Sequence, residues 1–262
     1  MSTPENSYVS YAHADGVARI TLVDGDRGNP VHLDQVTELH DAVRRAHADG
    51  ARVILLSSTG RFFSVGGDLA AFGEQEDVTA YIDDLAEQLH RTVSDLVRSP
   101  AVVVAVVQGP AAGAGFPLAA AADLVLAGRR AKFSLGYTRI GLSVDGGTSL
   151  LVNSLGLHRT LRLALLNDVM DAEEALGAGL VSRLHEDDEL AEAADKLAAG
   201  LAAGPAAALA ATKRLLRDAA EDAPESAMRA ETLSIRARAA EPDGREGVRA
   251  FLEKRAPQFG RD

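Results

Sequence analysis

Cysteine and tryptophan are absent from the 262-residue chain, and only 4% of its residues are aromatic. Without cysteine there are no disulfides and no thiolate metal ligands, which suits a reducing cytoplasm. No apolar run is long enough to span a bilayer, and the polar N-terminus lacks the apolar core of a secretory signal. The net charge of −11 argues against nucleic acid as the main partner. These absences predict a cytoplasmic protein with no membrane contact, no nucleic-acid partner and no metal site.

What the chain does contain is a glycine-rich stretch after a buried strand. Val102 to Val107 is an unbroken, mostly β-branched apolar run, typical of a strand covered on both faces. Gly109, Gly113 and Gly115 follow, and Pro117 then predicts a helix that starts at residue 116 or 117. Such a strand, bend and helix start present backbone N–H groups to an anion or a developing oxyanion.

Three interpretations compete for this stretch. The simplest is a tight turn in a closely packed α/β protein. A dinucleotide-binding loop needs Gly-x-Gly-x-x-Gly, but Leu118 occupies the third glycine position. An oxyanion hole needs a second N–H donor elsewhere in the chain. The segment 60–72 supplies a candidate, because it also follows an apolar strand and carries Gly66 and Gly67.

Alternating strand and helix patterns predict an α/β core, followed by an alanine-rich, almost wholly helical tail from Asp188. The predicted strands are 8–12 and 17–23, joined by an Asp-Gly hairpin turn, then 53–58, 102–107, two short strands at 123–127 and 132–135, and 181–184. The predicted helices are 33–49, 78–99, 148–155 and 159–166.

The two glycine-rich segments together resemble the crotonase, or enoyl-CoA hydratase/isomerase, superfamily. The family pattern is Phe-Cys/Ser-Ala-Gly-Ala/Gly-Asp-Leu and, later in the chain, Asn-Gly-x-Ala-x-Gly-Gly-Gly before a helix. The matching segments here are Phe-Ser-Val-Gly-Gly-Asp-Leu at 63–69 and Gln-Gly-Pro-Ala-Ala-Gly-Ala-Gly at 108–115. The resemblance runs nearly end to end and includes segments 29–31, 141–148, 172–181 and 245–255.

This resemblance implies an α/β fold with two parts. Residues 1–195 are expected to form a crotonase-like spiral of β-β-α turns that holds an acyl-CoA site. Residues 196–262 are expected to form a C-terminal helical segment for trimerisation. The implied assembly is a homotrimer or a dimer of trimers. The implied substrate is an acyl-CoA thioester, with no separate cofactor because CoA is part of the substrate.

The resemblance also implies where the chemistry lies. In crotonases the thioester oxygen sits between two backbone N–H groups, which match Gly67 and Ala114 here. Two such donors stabilise the enolate that forms when a proton leaves the carbon next to the thioester. The two glutamates of well-studied hydratases correspond to Pro117 and Tyr137. A two-glutamate hydratase, which needs both carboxylates as acid and base, is therefore disfavoured.

Asp145 is the remaining candidate for proton transfer. On sequence alone it can also be a turn aspartate that caps a helix starting near Thr148. The resemblance favours catalysis, because the aspartate-dependent isomerases carry their working aspartate in this loop. We therefore expect isomerisation of a double bond or a ring through a thioester enolate, with Asp145 as the proton carrier.

Two alternatives stay open. In the aryl-CoA dehalogenase branch, an aspartate here acts as a nucleophile and pairs with a histidine on the earlier long helix, where His90 lies. A lone helical histidine is also commonly a packed or surface residue. The first alternative is thus an aspartyl-nucleophile dehalogenase or hydrolase of acyl-CoA. The second is a catalytically silent family member that binds acyl-CoA.

The remaining predicted contacts concern substrate binding. Phe251 and Lys254 match the family's C-terminal Phe-x-x-Lys, which contacts the adenine and phosphates of CoA. Arg27 is a further candidate for the phosphates, and Tyr137 for the wall of the acyl pocket. The alternatives are helix-packing aromatics and solvated cations. Also predicted to contact substrate are residues beside the two N–H donors and on the long helix: Val65, Leu69, Gly113 and His90.

Two structural expectations accompany these assignments. Asp68 is expected to bond the backbone N–H groups of the adjoining turn. The last part of the chain is locally basic, which suits a phosphate-rich ligand or a solvated helix face. Its cations are Arg229, Arg236, Arg238, Arg245, Arg249, Lys254, Arg255 and Arg261.

Overall fold

The computed structural model describes residues 7–220 and 223–260. The strands in these ranges are β1 (Val9–Ala14), β2 (Val17–Leu22), β3 (Val53–Ser58), β4 (Val102–Val107), β5 (Ala111–Ala112), β6 (Leu124–Gly128), β7 (Lys132–Ser134), β8 (Met170–Asp171) and β9 (Arg183–His185). The helices are α1 (Leu33–Ala48), α2 (Leu69–Gly73), α3 (Val78–Arg98), α4 (Gly115–Ala120), α5 (Leu151–Leu155), α6 (Leu157–Leu165), α7 (Ala172–Gly177), α8 (Leu190–Ala202), α9 (Ala206–Ala220), α10 (Pro224–Ala240) and α11 (Pro242–Leu252).

The larger sheet has the strand order β1-β2-β3-β4-β6-β9. Its first pair is an antiparallel hairpin whose turn residues, Asp15 and Gly16, both have positive φ angles of 53° and 77°. The other pairings are parallel, as the strand–helix alternation predicts. All six residues of β4 are buried, which explains its unbroken apolar sequence at the centre of the sheet.

A second, small sheet continues the spiral beside the first. Its order is β5-β7-β8, and β5 pairs in parallel with β7. Two isolated parallel bridges extend it, from Ser64 to Ala111 and from Val31 to Gly67. The chain therefore leaves the large sheet, pairs briefly in the small one and returns through a helix, which is the expected β-β-α spiral.

Helices cover both faces of the large sheet. On one face α8 buries Leu190, Ala194 and Ala198 against β3, β4 and β6. On the other face α1 and α4 pack into the main core. Farther out, α3 lies between α1 and α10, and its apolar stripe faces both helices. Among the described helices, none is both long and apolar enough to cross a membrane.

The predicted boundary at residue 195 falls inside α8, which packs on the sheet. The division into a 1–195 core and a 196–262 oligomerisation segment therefore stays a prediction. Residues 203–220 and 223–252 are nearly all helical, as the alanine-rich sequence indicates. Arg261 lies outside the described residues.

Several element boundaries differ from the sequence-based expectation. The predicted helix over 148–155 is a 3-10 turn, Thr148–Leu150, followed by the short α5. Helix α4 begins at Gly115, one or two residues earlier than predicted. The strand predicted at 181–184 is β9, at Arg183–His185. The strand starts later than predicted because the N–H groups of Leu180 and Val181 donate to Ala175 O. These bonds hold both residues at the end of α7.

Candidate active site

The two glycine-rich bends lie side by side. They leave the carboxyl ends of the parallel neighbours β3 and β4, so they continue in the same direction. Ser64 and Ala111 form a parallel bridge, and the Ala112 N–H donates to Ser64 O over 2.9 Å. The predicted convergence of these distant segments is therefore a consequence of strand order.

Glycine is required where the two bends touch. Gly66 and Gly113 have φ angles of 88° and 51°, a region that side chains disfavour. A Cβ atom on Gly66 would lie 2.8 Å from Ala112 O, and one on Gly113 would lie 4.0 Å from Gly67 N. The residues that flank the two proposed donors are thus in direct backbone contact.

The two proposed oxyanion donors have free N–H groups. Within residues 7–220 and 223–260, neither the Gly67 N–H nor the Ala114 N–H has a hydrogen-bond acceptor. Ala114 is buried, and both residues line the same cavity. A buried backbone donor without a partner is uncommon because it costs stability, so these two groups are available to an external oxygen.

That cavity has a volume of about 460 Å³ and is mostly apolar. Most of the predicted site residues line it, namely Arg27, Val65, Gly67, Leu69, Gly113, Ala114, Tyr137, Asp145 and Phe251. Its apolar wall comes from α2, α3 and α10 and includes Phe72, Leu85, Leu89 and Ile235. An apolar cavity with a few convergent polar groups is the usual form of a small-molecule site.

Two predicted contacts do not line this cavity. His90 lies behind Asp145 and opens instead onto a groove on the outer side of α3. Lys254 follows the end of α11 with a φ of 54°, and its N–H donates to Phe251 O over 3.1 Å. The Lys254 side chain is exposed and has no acidic partner among the described residues.

At the mouth of the cavity Arg27 is held by two carboxylates. Its guanidinium pairs with Asp68 and lies 3.3 Å from Asp24 Oδ2. The other Asp68 oxygen accepts from Ala70 N and Ala71 N over 3.2 and 3.3 Å and caps α2. Asp68 therefore has the structural role that the sequence predicts.

The loop that carries Asp145 reaches the same cavity from the opposite side. The Asp145 carbonyl accepts from Thr148 Oγ1 over 2.7 Å and from the Tyr137 hydroxyl over 3.1 Å. A Cβ on the next residue, Gly146, would lie 3.4 Å from Ala114 Cα. Asp145 is buried, with 7% of the residue exposed, and it lines the cavity beside the Ala114 bend.

Asp145 does not cap the following turn. Glu231 of α10 does so instead, because it accepts from Gly147 N, Thr148 N and Ser149 N over 2.8, 3.2 and 2.6 Å. Among the described residues, no helix N–H donates to the Asp145 carboxylate. The capping interpretation of Asp145 is therefore wrong, and its carboxylate is left for another role.

His90 contacts Asp145 from α3. Its Nε2 lies 3.0 Å from Asp145 Oδ1, within ion-pair distance, although the two groups are not oriented as a hydrogen bond. The other ring nitrogen, Nδ1, lies 3.1 Å from Thr232 Oγ1. Both His90 and Asp145 are buried, so this polar pair lies within the otherwise apolar wall of the cavity.

Comparisons with known proteins place this geometry in a family. The chain matches the enoyl-CoA hydratase/isomerase family over residues 12–262. It belongs to that family. The chain is 35% identical to 1,2-epoxyphenylacetyl-CoA isomerase of Escherichia coli K12, with 93% of this chain and 95% of the relative covered. It is 36% identical to a probable enoyl-CoA hydratase of Rhodobacter capsulatus, with 96% and 97% covered.

A solved structure supports the crotonase fold. It is an enoyl-CoA hydratase from Mycobacterium avium subsp. paratuberculosis K-10, with a TM-score of 0.88 and 34% identity. The match covers 97% of this chain and 99% of that one. The relatives include both isomerases and hydratases, so family membership by itself leaves the reaction of this crotonase open.

Within this crotonase, the two positions that correspond to the hydratase glutamates contain no carboxylate. Pro117 lies in α4 and faces a separate small cavity. Tyr137 lines the main cavity, and its pKa is raised well above the usual value because burial disfavours the phenolate, as do the nearby charges of Asp145 and Glu231. Tyr137 is therefore a neutral hydroxyl donor.

Sequence analysis missed Glu231 and Thr232. Burial raises the pKa of the Glu231 carboxyl, although the N–H groups of the Asp145 loop favour its charged form. A signal was present in the sequence, because both residues fall on the buried stripe of α10. That stripe consists of Met228, Glu231, Thr232, Ile235 and Ala239. An acidic residue on such a stripe indicates a buried partner.

His90, Asp145 and Glu231 offer ligand atoms that all lie within 4.8 Å of one another, as in a metal site. Both Glu231 oxygens, however, already accept backbone N–H groups. Those donors present positive charge where a cation would have to bind, so the cluster fits a hydrogen-bonded acid better than a metal ligand set.

The cations of the C-terminal segment are mostly neutralised within the chain. Arg229 and Arg236 lie 3.3 and 3.6 Å from Asp83 Oδ1. Other pairs are Arg238 with Glu241, Arg249 with Glu246, and Arg255 with Glu246 and Glu253. Lys254 is thus better placed to meet a phosphate than its neighbours are.

Proposed function

We propose that this crotonase isomerises a double bond or a ring in an acyl-CoA thioester. The N–H groups of Gly67 and Ala114 hold the thioester oxygen, and Asp145 carries the proton. The observation that supports this most directly is that Asp145 is the one uncommitted carboxylate among the described residues that line the cavity. The other, Asp68, is used by Arg27 and by the cap of α2.

In the proposed reaction, Asp145 removes a proton from the carbon next to the thioester. The electrons of the broken C–H bond move to the thioester oxygen, where the two N–H groups stabilise the negative charge. Each such donor contributes roughly 2.7–4 kcal/mol to the transition state in other enzymes. Asp145 then returns the same proton two carbons along the acyl chain, and the charge flows back from the oxygen.

Substrate binding follows from the shape of the cavity. Its apolar part, between α2, α3 and α10, takes the acyl group. The CoA portion lies toward α11, where Phe251 is 58% exposed and available to the adenine. Lys254 and Arg27 meet the phosphates, and no cofactor is needed because CoA belongs to the substrate.

The test is proton exchange in D₂O, followed by mass spectrometry on a panel of acyl-CoAs. We expect wild-type protein to exchange protons at the α and γ carbons and to shift the double bond. Asp145→Asn keeps the size of the side chain but removes the base, and the exchange should fall by at least 100-fold. Wild-type-like exchange in this variant would contradict the assignment of Asp145.

A second candidate is favoured by the contact between His90 and Asp145. In this reaction the Asp145 carboxylate attacks an electrophilic carbon of the substrate, forms an ester and expels the leaving group. His90 Nε2, 3.0 Å from Asp145 Oδ1, activates the water that hydrolyses the ester. Mass spectrometry of the quenched protein distinguishes the two routes, because only this route leaves a covalent adduct on Asp145. A silent acyl-CoA-binding protein gives neither exchange nor adduct.

We further propose that the chain is cytoplasmic and assembles as a homotrimer or a dimer of trimers. The surface of α6 supports self-association, because Leu157, Leu161 and Leu165 recur every four residues and are 54%, 40% and 64% exposed. Exposed apolar stripes of this kind mark interaction surfaces.

A further inference from the structure

Helix α10 contacts His90 and the loop that directly follows Asp145. It does so through two consecutive residues, Glu231 and Thr232, which are 6% and 0% exposed. Neither residue lines the acyl cavity, so neither touches the substrate. Their positions allow them to act on the reaction only through the pair.

Glu231 fixes the loop on the C-terminal side of Asp145. One carboxylate oxygen accepts from Gly147 N and Thr148 N, and the other accepts from Ser149 N. Gly146 and Gly147 have φ angles of 76° and 90°, so the loop follows a path that needs external support. Three N–H bonds to a single carboxylate provide that support directly after the reactive residue.

Thr232 fixes the ring of His90. The Thr232 hydroxyl has one hydrogen, and it lies 3.3 Å from Met228 O, which can only accept. Thr232 Oγ1 also lies 3.1 Å from His90 Nδ1, so the hydroxyl can accept from Nδ1 while it donates to Met228 O. In this arrangement the hydrogen of the neutral ring is on Nδ1.

The consequence appears at the other ring nitrogen. With Nδ1 protonated, neutral His90 presents a lone pair at Nε2, which lies 3.0 Å from Asp145 Oδ1. The bond that Thr232 makes to Nδ1 thus determines which form of Nε2 faces the Asp145 carboxylate.

We propose that Glu231 and Thr232 are positioning residues of this site: Glu231 holds the Asp145 loop against the oxyanion bend, and Thr232 holds the His90 ring with its hydrogen on Nδ1 and its Nε2 atom facing Asp145. The proposal rests on the proposed function in that Asp145 is taken as the reactive carboxylate. The experiments below include readouts that do not depend on activity, so the positioning roles and the proposed function can fail separately.

The first experiment reads the histidine ring by NMR with ¹⁵N-labelled histidine. In wild-type protein we expect the hydrogen of neutral His90 on Nδ1. Thr232→Val keeps the shape of the side chain but removes the hydroxyl. The neutral His90 ring should then be a mixture of the tautomers with the hydrogen on Nδ1 and on Nε2. Thr232→Ser restores the hydroxyl and should restore the wild-type spectrum.

A matched control exists for this substitution. Thr160 is also buried and helical, and its hydroxyl donates to a carbonyl four residues earlier, Gly156 O, over 3.0 Å. Thr160→Val therefore removes the same kind of hydrogen bond far from His90 and should leave the His90 signals unchanged. Wild-type His90 signals in Thr232→Val, or a hydrogen on Nε2 in wild-type protein, would overturn the role of Thr232.

The second experiment concerns Glu231→Gln, in which one carboxylate oxygen becomes an amide donor that faces a backbone donor. We expect faster hydrogen exchange at the amides of residues 147–149. Turnover should fall on the order of 100-fold with KM within a few-fold of wild type, because misplacement by about 1 Å costs this much. The control is Glu38→Gln, since Glu38 Oε2 also accepts two backbone N–H groups, from Tyr8 and Val9, away from the cavity.

The outcomes separate the two proposals. If the ring form and amide exchange change as expected but wild-type protein shows no proton exchange with any acyl-CoA, the proposed reaction fails and the positioning roles stand. If wild-type protein is active and Glu231→Gln retains wild-type turnover and amide protection, the role of Glu231 is overturned. Should Glu231→Gln fail to fold, the Thr232 series decides the proposal.

Discussion

At the scale of single residues, the site depends on backbone groups more than on side chains. The proposed oxyanion donors are N–H groups, and glycines allow the two bends that carry them to touch. Gly66 is constrained in two ways, because its φ is 88° and a Cβ would lie 2.8 Å from the backbone oxygen of Ala112. This position combines a disfavoured dihedral angle with a backbone clash.

Gly66→Ala should therefore separate the two bends. We expect a loss of roughly 1–2 kcal/mol in the free energy of unfolding from the positive φ alone, and more from the clash. We also expect a loss on the order of 100-fold in kcat/KM, because the N–H groups of Gly67 and Ala114 would no longer converge. The measurements are urea denaturation and steady-state kinetics with the best acyl-CoA.

Gly50→Ala is the matched control for this prediction. Gly50 ends α1 with a φ of 69°, and nothing lies within 4 Å of the added Cβ. It should lose the same roughly 1–2 kcal/mol of stability and keep full activity. Equal activities in the two variants would show that the contact between the bends is not needed for function.

The site residues that could be predicted from the sequence are those in local patterns. Short sequence motifs contain the glycines around Gly67 and Ala114 and the loop of Asp145. Their chemistry can be inferred from the motif itself, without knowledge of contacts elsewhere in the chain. The pairing of Glu231 with the loop at 147–149 is not local, since more than eighty residues separate the partners. No spacing rule reports such a contact, and only the buried stripe of α10 marks Glu231 as unusual.

At the scale of secondary-structure elements, helix α9 is joined to the sheet by a buried ionic cluster. Asp123, directly before β6, lies 2.8 Å from Lys213 Nζ and 2.9 Å from Arg217 Nη2. Lys213 also donates to Leu96 O and Ala101 O, each over 3.0 Å. Burial lowers the pKa of Lys213 below 10.5, and the charge of Asp123 opposes this shift.

Asp123→Asn should leave the charge of Lys213 buried with only neutral acceptors and Arg217 nearby. We expect a loss of about 3–5 kcal/mol in the free energy of unfolding at neutral pH. Because the folded-state pKa of Lys213 lies below its unfolded value, the unfolded chain binds more protons between the two values, and stability rises with pH there. Without Asp123 this pKa falls further, so the deficit relative to wild type should shrink as the pH rises toward 10.5.

Urea denaturation at several pH values measures this effect. The control is Asp195→Asn, which removes an exposed partner of Arg19, with side-chain exposures of 58% and 45%. That variant should lose only about 0.2–1 kcal/mol. A deficit for Asp123→Asn that is small, or that does not change with pH, would mean that Lys213 is not held by Asp123.

Element types were predictable where one residue pattern dominates. The apolar run of β4 and the helical stripe of α3 appear in the structure close to their predicted bounds. The prediction was weaker where tertiary contacts decide. The turn at Thr148–Leu150 interrupts a predicted helix at the point where Glu231 binds the backbone, and no local sequence signal could reveal that contact.

At the scale of the whole molecule, the fold follows from the order of its motifs. The family was recognisable because the two glycine-rich segments occur together and in sequence with the Asp145 loop. The predicted boundary at residue 195 has no such basis, since α8 crosses it and packs on the sheet. Composition alone could not reveal that the C-terminal cations pair with nearby acids.

The exposed leucines of α6 lead to a prediction about assembly. We expect wild-type protein to sediment as a trimer or a dimer of trimers. Leu161→Lys combined with Leu165→Lys should place charges in the apolar stripe and shift the distribution toward monomer, because burying an unpaired charge is costly. Analytical ultracentrifugation measures the assembly, and far-UV circular dichroism checks that the fold is kept. A wild-type monomer would exclude the proposed assembly.

The attachment of α10 to the reactive pair sets an order of events during protein synthesis. The strands, the two bends and Asp145 all emerge from the ribosome before residue 231, and a nascent chain can fold its N-terminal part first. Until Glu231 and Thr232 have been translated, that early product lacks the side chains that bond the loop after Asp145 and contact His90. On the proposed roles, a chain cut short near residue 220 should keep the residues of the sheet and of both bends but lose the support of its proposed acid.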